Sequence, residues 1–242
     1  MPELIPIPKI ALCLIPFIIV VYVQLRWSLN YKYLLLATAR MVLQLVIVGY
    51  FLLFIFDNHS IWGVGTVLFI MMTASSIIAI RHLQHKQVQT YFAVFLAIFI
   101  GGFSLLVLVS QFVLTTDTYF EPRIVIPIAG MIFANAMNCI SLASERYESE
   151  VKNGKTPTEA RSIAYRASLI PNTNTFIAVG LVSLPGMMTG QILSGVSPLI
   201  AARYQIVIML MVFSSSGISA AIFLQYLFKV SLRDNFREDE QS

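Results

Sequence analysis

The feature that most constrains this chain is a series of apolar runs that are long enough to cross a lipid bilayer. A membrane-spanning helix needs about 20 consecutive, mostly apolar residues. Seven runs meet this requirement, at 7–25, 40–56, 61–80, 91–112, 124–144, 175–195 and 204–228. The sequence shows no internal repeat and no linker between them. It therefore predicts a single domain, residues 1–242, folded as an all-α polytopic membrane bundle of about seven transmembrane helices.

Composition supports a membrane location. Of the 242 residues, 57% are hydrophobic and only 12% are charged, whereas soluble domains carry about 25% charged residues. Lipid is therefore expected to cover much of the surface. The net charge of +4 comes from basic residues scattered between apolar runs. Because they form no single basic stripe, the sequence argues against nucleic-acid binding.

The basic residues also predict the orientation, since cytoplasmic loops of membrane proteins are enriched in Lys and Arg. Thirteen of the 16 basic residues fall in alternate loops. These are Arg26, Lys32, Arg40, Arg81, Lys86, Arg146, Lys152, Lys155, Arg161, Arg166, Lys229, Arg233 and Arg237. The other side has only Lys9, Arg123 and Arg203. We therefore expect the N-terminus outside, and the loop 145–175 and the C-terminus in the cytoplasm.

The distribution of the acidic residues argues against two classes of membrane protein. None of the twelve Asp and Glu residues lies in the middle of a predicted span. Carriers driven by protons or sodium commonly depend on carboxylates inside the membrane, where a charge is costly to bury. The distribution therefore argues against a self-powered secondary transporter. It also provides no carboxylate pair for an intramembrane protease, and we identify no catalytic residue.

One segment resembles part of a nucleotide-binding loop. Gly154-Lys155-Thr156 matches the end of a P-loop, but that motif requires a glycine where this chain has Ser149, and a strand leading into the loop. We interpret the match as chance and expect no cofactor in this chain. If transport is active, a partner chain binds the ATP.

The predicted loop 145–175 is the longest polar stretch. Its pattern indicates two short amphipathic helices around a turn at 154–157, with a capping box formed by Thr156 and Glu159. Glu148, Gly154 and Pro171 also partly resemble a cytoplasmic motif of ABC importer permeases. A docking surface and a solvated connector both remain open interpretations.

The predicted sixth span is interrupted at its centre by Pro185. Proline removes a backbone donor and clashes with the preceding turn, so we expect the helix to kink or break there. Broken helices near the bilayer midplane often form permeation sites. The alternative is a packing kink in which Gly186 and Gly190 allow a neighbouring helix to approach closely.

Other polar residues could line the same path. Asn135 and Asn138 are three residues apart, so they should share a helix face that either lines a path or bonds to neighbouring helices. Arg40 and Gln44 lie one turn apart at the expected cytoplasmic end of the second span, where Arg40 could instead anchor at the interface. The methionines near the interruption are more typical of core filling than of copper ligands. The sequence identifies no metal ligands.

Three segments resemble the FetB-type permeases, also called uncharacterised family 0014. They are Arg40–Tyr50, Val125–Met137 and Val179–Gly190, the last followed by Tyr204-Gln205-Ile206. The Leu-Pro-Gly-Met-Met run within the third segment is the most specific. One departure is Ala134, where relatives often have glycine.

The resemblance implies the permease subunit of an ABC transporter in the bacterial inner membrane. It implies a homodimer that pairs with a separate FetA-type ATP-binding subunit. Bacterial members of the family are linked to iron export and plant relatives to aluminium tolerance. A seven-helix receptor that signals through the 145–175 loop is the alternative hypothesis.

Two sets of residues are the candidates for function. The expected transport pathway comprises Arg40, Gln44, Met131, Asn135, Asn138, Pro185, Gly186, Met188 and Gln205. The expected contact with the ATPase comprises Glu148, Gly154, Pro157 and Arg161, with Pro171 as the hinge into the sixth span.

Overall fold

The computed structural model describes residues 6–58, 61–83, 87–113 and 121–239. The α-helices in these ranges are α1 (Ile7–Leu12), α2 (Leu14–Arg26), α3 (Tyr31–Asn58), α4 (Ile61–Ala79), α5 (Val88–Ile98), α6 (Ser104–Leu108), α7 (Pro122–Lys152), α8 (Pro157–Ala178), α9 (Gly186–Leu193) and α10 (Pro198–Asp239). Two π-helical segments, π1 (Phe99–Phe103) and π2 (Val109–Val113), flank α6. The all-α fold class is therefore confirmed.

Within the described residues, six helical segments are long and apolar enough to cross a membrane. They are Pro8–Arg26, Tyr31–Leu53, Ile61–Ala79, Val88–Val113, Pro122–Lys152 and Pro198–Arg233. Each overlaps one of the predicted spans, and the chain is a multi-pass membrane protein. The predicted sixth span, 175–195, is not one continuous helix, so the count of seven and the orientation stay predictions.

The chain packs as two compact units, 1–58 and 59–242. In the first unit, no residue of the apolar stretches Pro8–Arg26 and Tyr31–Leu53 is buried. Helix α3, which contains the predicted second span, begins at Tyr31, well before the predicted start at residue 40. Arg40 therefore lies within the helix rather than at its end. The assignment of residues 1–242 to one domain stays a prediction.

The core of the second unit forms around α7, which packs against α4, α8 and α10. One cluster joins α7, α8 and α10 through mostly small or slender buried residues: Cys139, Ala143, Tyr147, Ala160, Ala164, Ala220 and Leu224. Small side chains let helices approach closely, which is the main source of packing energy between helices in lipid. The alanines of this cluster therefore fix the three helices that surround the candidate site.

A second close contact joins π1 to α10. A Cβ added at Gly101 would lie 2.7 Å from the backbone nitrogen of Ser219. Real Cβ atoms do not approach a backbone atom this closely, so only glycine fits here. The widened backbone of a π-helix often marks a functional position. At π1 it brings one span into direct backbone contact with α10.

The polar segment that follows the fifth span is a helical hairpin. Helix α7 continues without interruption to Lys152, so the prediction of a separate short helix after Glu145 is wrong. The physical reason is that the segment has no helix-breaking residue before Gly154, whose φ of +81° ends the helix in the left-handed conformation that favours glycine.

The start of α8 follows the predicted capping box. The Thr156 Oγ1 atom accepts a hydrogen bond from the Glu159 N–H at 3.3 Å, and the Thr156 N–H donates to Glu159 Oε2 at 3.2 Å. Hydrogen bonds from the Thr156 hydroxyl and backbone, together with nearby Lys155, hold the pKa of the Glu159 carboxyl below its usual value. The prediction of this cap is confirmed.

Candidate functional site

The predicted sixth span is not one continuous helix: a non-helical segment separates α8 from α9 near its centre. Helix α8 ends at Ala178, whose carbonyl accepts hydrogen bonds from the N–H groups of Leu181, Val182 and Ser183. Gly180 has a φ of +84°, which turns the chain. Pro185 immediately precedes α9 and has no N–H to continue a helix through it. The predicted interruption at Pro185 is confirmed.

A cavity of about 180 Å³ lies beside this break. Helices α7, α8, α9 and α10 all contribute to it. Its lining residues are Met131, Asn135, Asn172, Thr175, Phe176, Pro185, Gly186, Met187, Gln205, Ile208, Met209, Val212 and Phe213. Five of the nine predicted pathway residues are brought together here, namely Met131, Asn135, Pro185, Gly186 and Gln205. We call this space the amide cavity.

The polar groups of the amide cavity are uncharged. The Asn135 side chain donates through Nδ2 to the Met131 carbonyl at 2.8 Å, which leaves its own oxygen as an acceptor. The Thr175 hydroxyl likewise donates to the Pro171 carbonyl at 2.9 Å and keeps its lone pairs. Both side chains are therefore oriented by their own helices and present acceptor atoms.

Two further polar atoms of the cavity are buried without a hydrogen-bond partner. They are Gln205 Oε1, an acceptor, and Asn172 Nδ2, a donor. Gln205 is only 6% exposed. An unpaired buried polar atom costs free energy, so native structures rarely keep one without a function or a bound molecule. These two amides identify the cavity as the strongest candidate for a binding site.

The electrostatic potential in the amide cavity comes from backbone dipoles rather than from ionisable side chains. No Asp, Glu, His, Lys or Arg is among the lining residues of the amide cavity in the described part of the chain. Gly186 begins α9, and no side chain caps this helix. The N–H groups of a first turn have no partner within their helix and carry a partial positive charge. The α9 end of the cavity is therefore mildly electropositive.

An apolar cavity of about 310 Å³ adjoins the amide cavity. It shares Phe176, Gln205 and Met209 with it, and it also contains the predicted pathway residue Met188. Gln205 is the buried polar residue common to both spaces. The two cavities therefore form a polar and an apolar compartment around one amide side chain.

Three predicted pathway residues do not line either cavity. Asn138 lies on α7 with an exposed side chain, although Asn135 on the same helix lines the amide cavity. Arg40 and Gln44 lie in the first unit, where both are exposed. Their assignment to the pathway stays a prediction.

Sequence reasoning missed Asn172, Thr175 and Met187, which line the amide cavity. Asn172 and Thr175 belong to a run of four polar residues, Asn172-Thr173-Asn174-Thr175, directly before the apolar segment of the sixth span. Residues three apart share a helix face. That spacing could have predicted a shared polar helix face at Asn172 and Thr175, but the run was assigned to the end of the cytoplasmic loop.

The predicted ATPase-contact residues occupy different environments. Gly154 is exposed in the turn between α7 and α8, and Pro157 begins α8. Glu148 is half-buried and lines a groove of about 400 Å³ between α7, α10 and the start of α5. Pro171 lies inside α8, which continues past it to Ala178, so the helix does not end at the predicted hinge.

Arg161 is engaged within the chain. Its Nη1 atom donates to Gln225 Oε1 at 2.6 Å, and its guanidinium carbon lies 4.3 Å from the centre of the Phe228 ring. Both partners belong to α10. Arg161 therefore joins α8 to α10, in addition to any contact it makes with another protein.

Three comparisons with known proteins bear on this site. The model of an uncharacterised protein family, UPF0014, matches residues 8–231. A UPF0014 membrane protein of Synechocystis is 36% identical over 80% of this chain and 82% of its own length. The probable iron export permease protein FetB of Escherichia coli is 34% identical over 79% of this chain and 78% of its own length. The protein ALUMINUM SENSITIVE 3 of Arabidopsis thaliana is 31% identical over 76% of this chain and 71% of its own length. No solved structure matches the chain at a significant level.

Proposed function

The chain belongs to the uncharacterised protein family UPF0014, and on that basis we propose that it is the membrane-embedded permease subunit of an ABC transporter that exports iron or a related metal. The similarity to the probable iron export permease supports both the transport activity and the class of cargo. A bacterial inner membrane is the corresponding location. No comparison supports the receptor hypothesis.

The observation that carries this proposal is the amide cavity beside the broken helix. Interrupted helices place backbone ends and polar side chains at membrane depth, where they can bind a solute that lipid would exclude. Here the interruption at Pro185 coincides with the unpartnered amides of Asn172 and Gln205. A kink used only for packing would leave no reason to bury these groups unpaired.

The free energy for transport comes, in this proposal, from a separate ATP-binding subunit of the FetA type. The chain has no complete nucleotide-binding motif of its own. The turn around Gly154 is the proposed contact, with Glu148 and Pro157 beside it. The capping box makes the start of α8 rigid, which suits a surface that must transmit force.

Two copies of the permease, in this proposal, form the complete transmembrane pathway. Several large apolar side chains near the break are strongly exposed, including Leu181 at 88% and Leu193 at 83%. Exposed apolar surface of this kind contacts either lipid or another protein chain. Cross-linking of single cysteines placed at these two positions tests the homodimer directly.

Reconstitution tests the function. The permease and a FetA-type ATP-binding subunit are incorporated together into proteoliposomes, and ATP-dependent movement of radioactive Fe²⁺ is measured under reducing conditions. We expect movement only when both proteins and ATP are present. Vesicles that contain only the permease are the control. ATP hydrolysis that the permease does not stimulate, together with no movement of iron, would refute the proposal.

A further inference from the structure

The amide cavity also indicates the chemical form in which a metal is carried, an inference that rests on the proposed function. We propose that the cavity recognises the ligands of the metal rather than the metal itself. The cargo enters as a small complex of low net charge, and its first coordination shell stays intact.

The lining residues do not suit a bare metal ion. Transition metals are bound tightly by imidazole, thiolate and carboxylate groups. The described residues contain no cluster of three or more His, Cys, Asp or Glu side chains. Neutral amide and hydroxyl oxygens are weak substitutes, and removing the water shell from a small divalent ion is strongly unfavourable. A metal that passes through this cavity therefore keeps its own ligands.

The backbone field also opposes a strongly positive cargo. The first turn of α9 begins at Gly186 in the cavity wall, and this end of a helix carries partial positive charge. No carboxylate among the described lining residues offsets it. A complex whose ligands neutralise most of the metal charge avoids this repulsion, because its net charge is small.

The hydrogen-bonding groups match the outside of such a complex. Gln205 Oε1 requires a donor, and coordinated water or amine hydrogens supply one. Asn172 Nδ2 requires an acceptor, as do the first-turn N–H groups of α9, which no side chain caps. Coordinated carboxylate oxygens supply such acceptors. A bare cation satisfies only the acceptor, Gln205 Oε1. A purely anionic ligand satisfies only the donors, Asn172 Nδ2 and the N–H groups of α9.

The volume is compatible with a compact coordination shell. The amide cavity measures about 180 Å³, and a water molecule occupies roughly 30 Å³ in the liquid. The space is therefore several times larger than one water molecule, so a small metal complex fits within it. The adjoining apolar cavity, which shares Gln205, provides room for the carbon atoms of an organic ligand.

Exchange-inert chromium(III) complexes test the proposal, because they keep their ligands and are not reduced under the conditions that keep iron as Fe²⁺. Three are compared as inhibitors of ATP-dependent iron transport in proteoliposomes that contain the permease and its ATPase. Tris(glycinato)chromium(III) is neutral and offers donors and acceptors. Hexaamminechromium(III) is a cation with donors only, and tris(oxalato)chromate(III) is an anion with acceptors only. We expect the neutral complex to inhibit most strongly.

Variants connect the inhibition to the cavity. Gln205→Leu and Asn172→Leu are each expected to weaken inhibition by the neutral complex about three- to tenfold, the effect of losing one hydrogen bond. Asn174→Leu is the matched control, because Asn174 is exposed on the same helix and does not line the cavity. Gln205→Glu is expected to make the cationic complex an inhibitor. A merely structural role of Gln205 would not produce that change in charge selectivity.

The results of the inhibition assay distinguish a failure of this proposal from a failure of the proposed function. Iron transport that none of the three complexes inhibits would overturn this proposal and leave the proposed function intact. Equal inhibition by the cationic and neutral complexes would also overturn it. Absence of ATP-dependent iron movement before any inhibitor is added would refute the proposed function itself, and this proposal with it.

Discussion

The close contact between π1 and α10 predicts a large difference between two identical substitutions. Gly101→Ala introduces a Cβ 2.7 Å from the backbone nitrogen of Ser219, so one of the two helices must move. Gly65→Ala introduces the same group on α4, where nothing lies within 4 Å. The two variants share the gain in helix propensity, which is at most about 1 kcal/mol. Their difference therefore measures the contact.

The expected size of the effect follows from overpacking. Forcing an additional methyl group into a well-packed interior costs about 1–3 kcal/mol. For a protein of this length, each kcal/mol lowers the midpoint of thermal unfolding by about 2–4 °C, so Gly101→Ala should unfold about 2–12 °C lower than the wild type. Gly65→Ala should unfold at the same temperature or slightly higher.

Thermal unfolding of the purified proteins in detergent measures this, with size-exclusion chromatography after heating as a second readout. Wild-type behaviour of Gly101→Ala would refute the helix contact that the structure shows. A matching decrease in Gly65→Ala would show instead that any alanine in these spans is harmful, and the argument from the contact would fail.

Four further predictions concern the hairpin and the break. Thr156→Ala should destabilise the hairpin by about 1 kcal/mol. Because the pKa of Glu159 is lowered in the folded wild type, the stabilisation by Glu159 is present at neutral pH and lost as the pH falls through that lowered pKa. Thermal scans should find this pH dependence weaker in the variant, which loses the hydroxyl hydrogen bond but keeps the backbone hydrogen bond and Lys155. Arg161→Leu should reduce permease-stimulated ATP hydrolysis while binding of the ATPase, measured by co-purification, is retained. Pro185→Ala should reduce transport more than expression, and the reverse result would favour a packing kink. Asn153→Cys, on a background without native cysteines, should react with impermeant maleimide only after cells are permeabilised, and labelling of intact cells would overturn the orientation.

The sequence was sufficient to predict what depends on local chemistry. Span length and composition identified six segments that are helices long and apolar enough to cross a membrane. The capping box at Thr156 and the interruption at Pro185 were predictable because each follows from a few adjacent residues. The predicted orientation also places Ser60 and Asp117 on the outer side of the membrane, but both lie beyond the described residues.

What depends on tertiary packing was not predictable. Asn135 and Asn138 have the spacing of one helix face, but only Asn135 lines the amide cavity, and Asn138 is exposed. The sequence also assigned Asn172 to a loop, since three charged residues earlier in α8 lower the hydropathy of the segment. The position of Gln205 between two cavities depends on α8, α9 and α10 together, and no local pattern contains that information.

Helix α8 provides the physical connection between the proposed ATPase contact and the amide cavity. It begins at the capped turn, and its 22 residues extend over about 33 Å without interruption at Pro171. Arg161 fixes its first part to α10, which also carries Gln205. Its last part places Asn172 and Thr175 in the cavity wall, and the helix ends shortly afterwards at Ala178. We propose that a displacement at the turn moves these two cavity residues relative to α9 without unfolding any helix, because the non-helical segment between α8 and α9 takes up the movement. In this proposal, the interruption that borders the candidate site also allows the site to change shape.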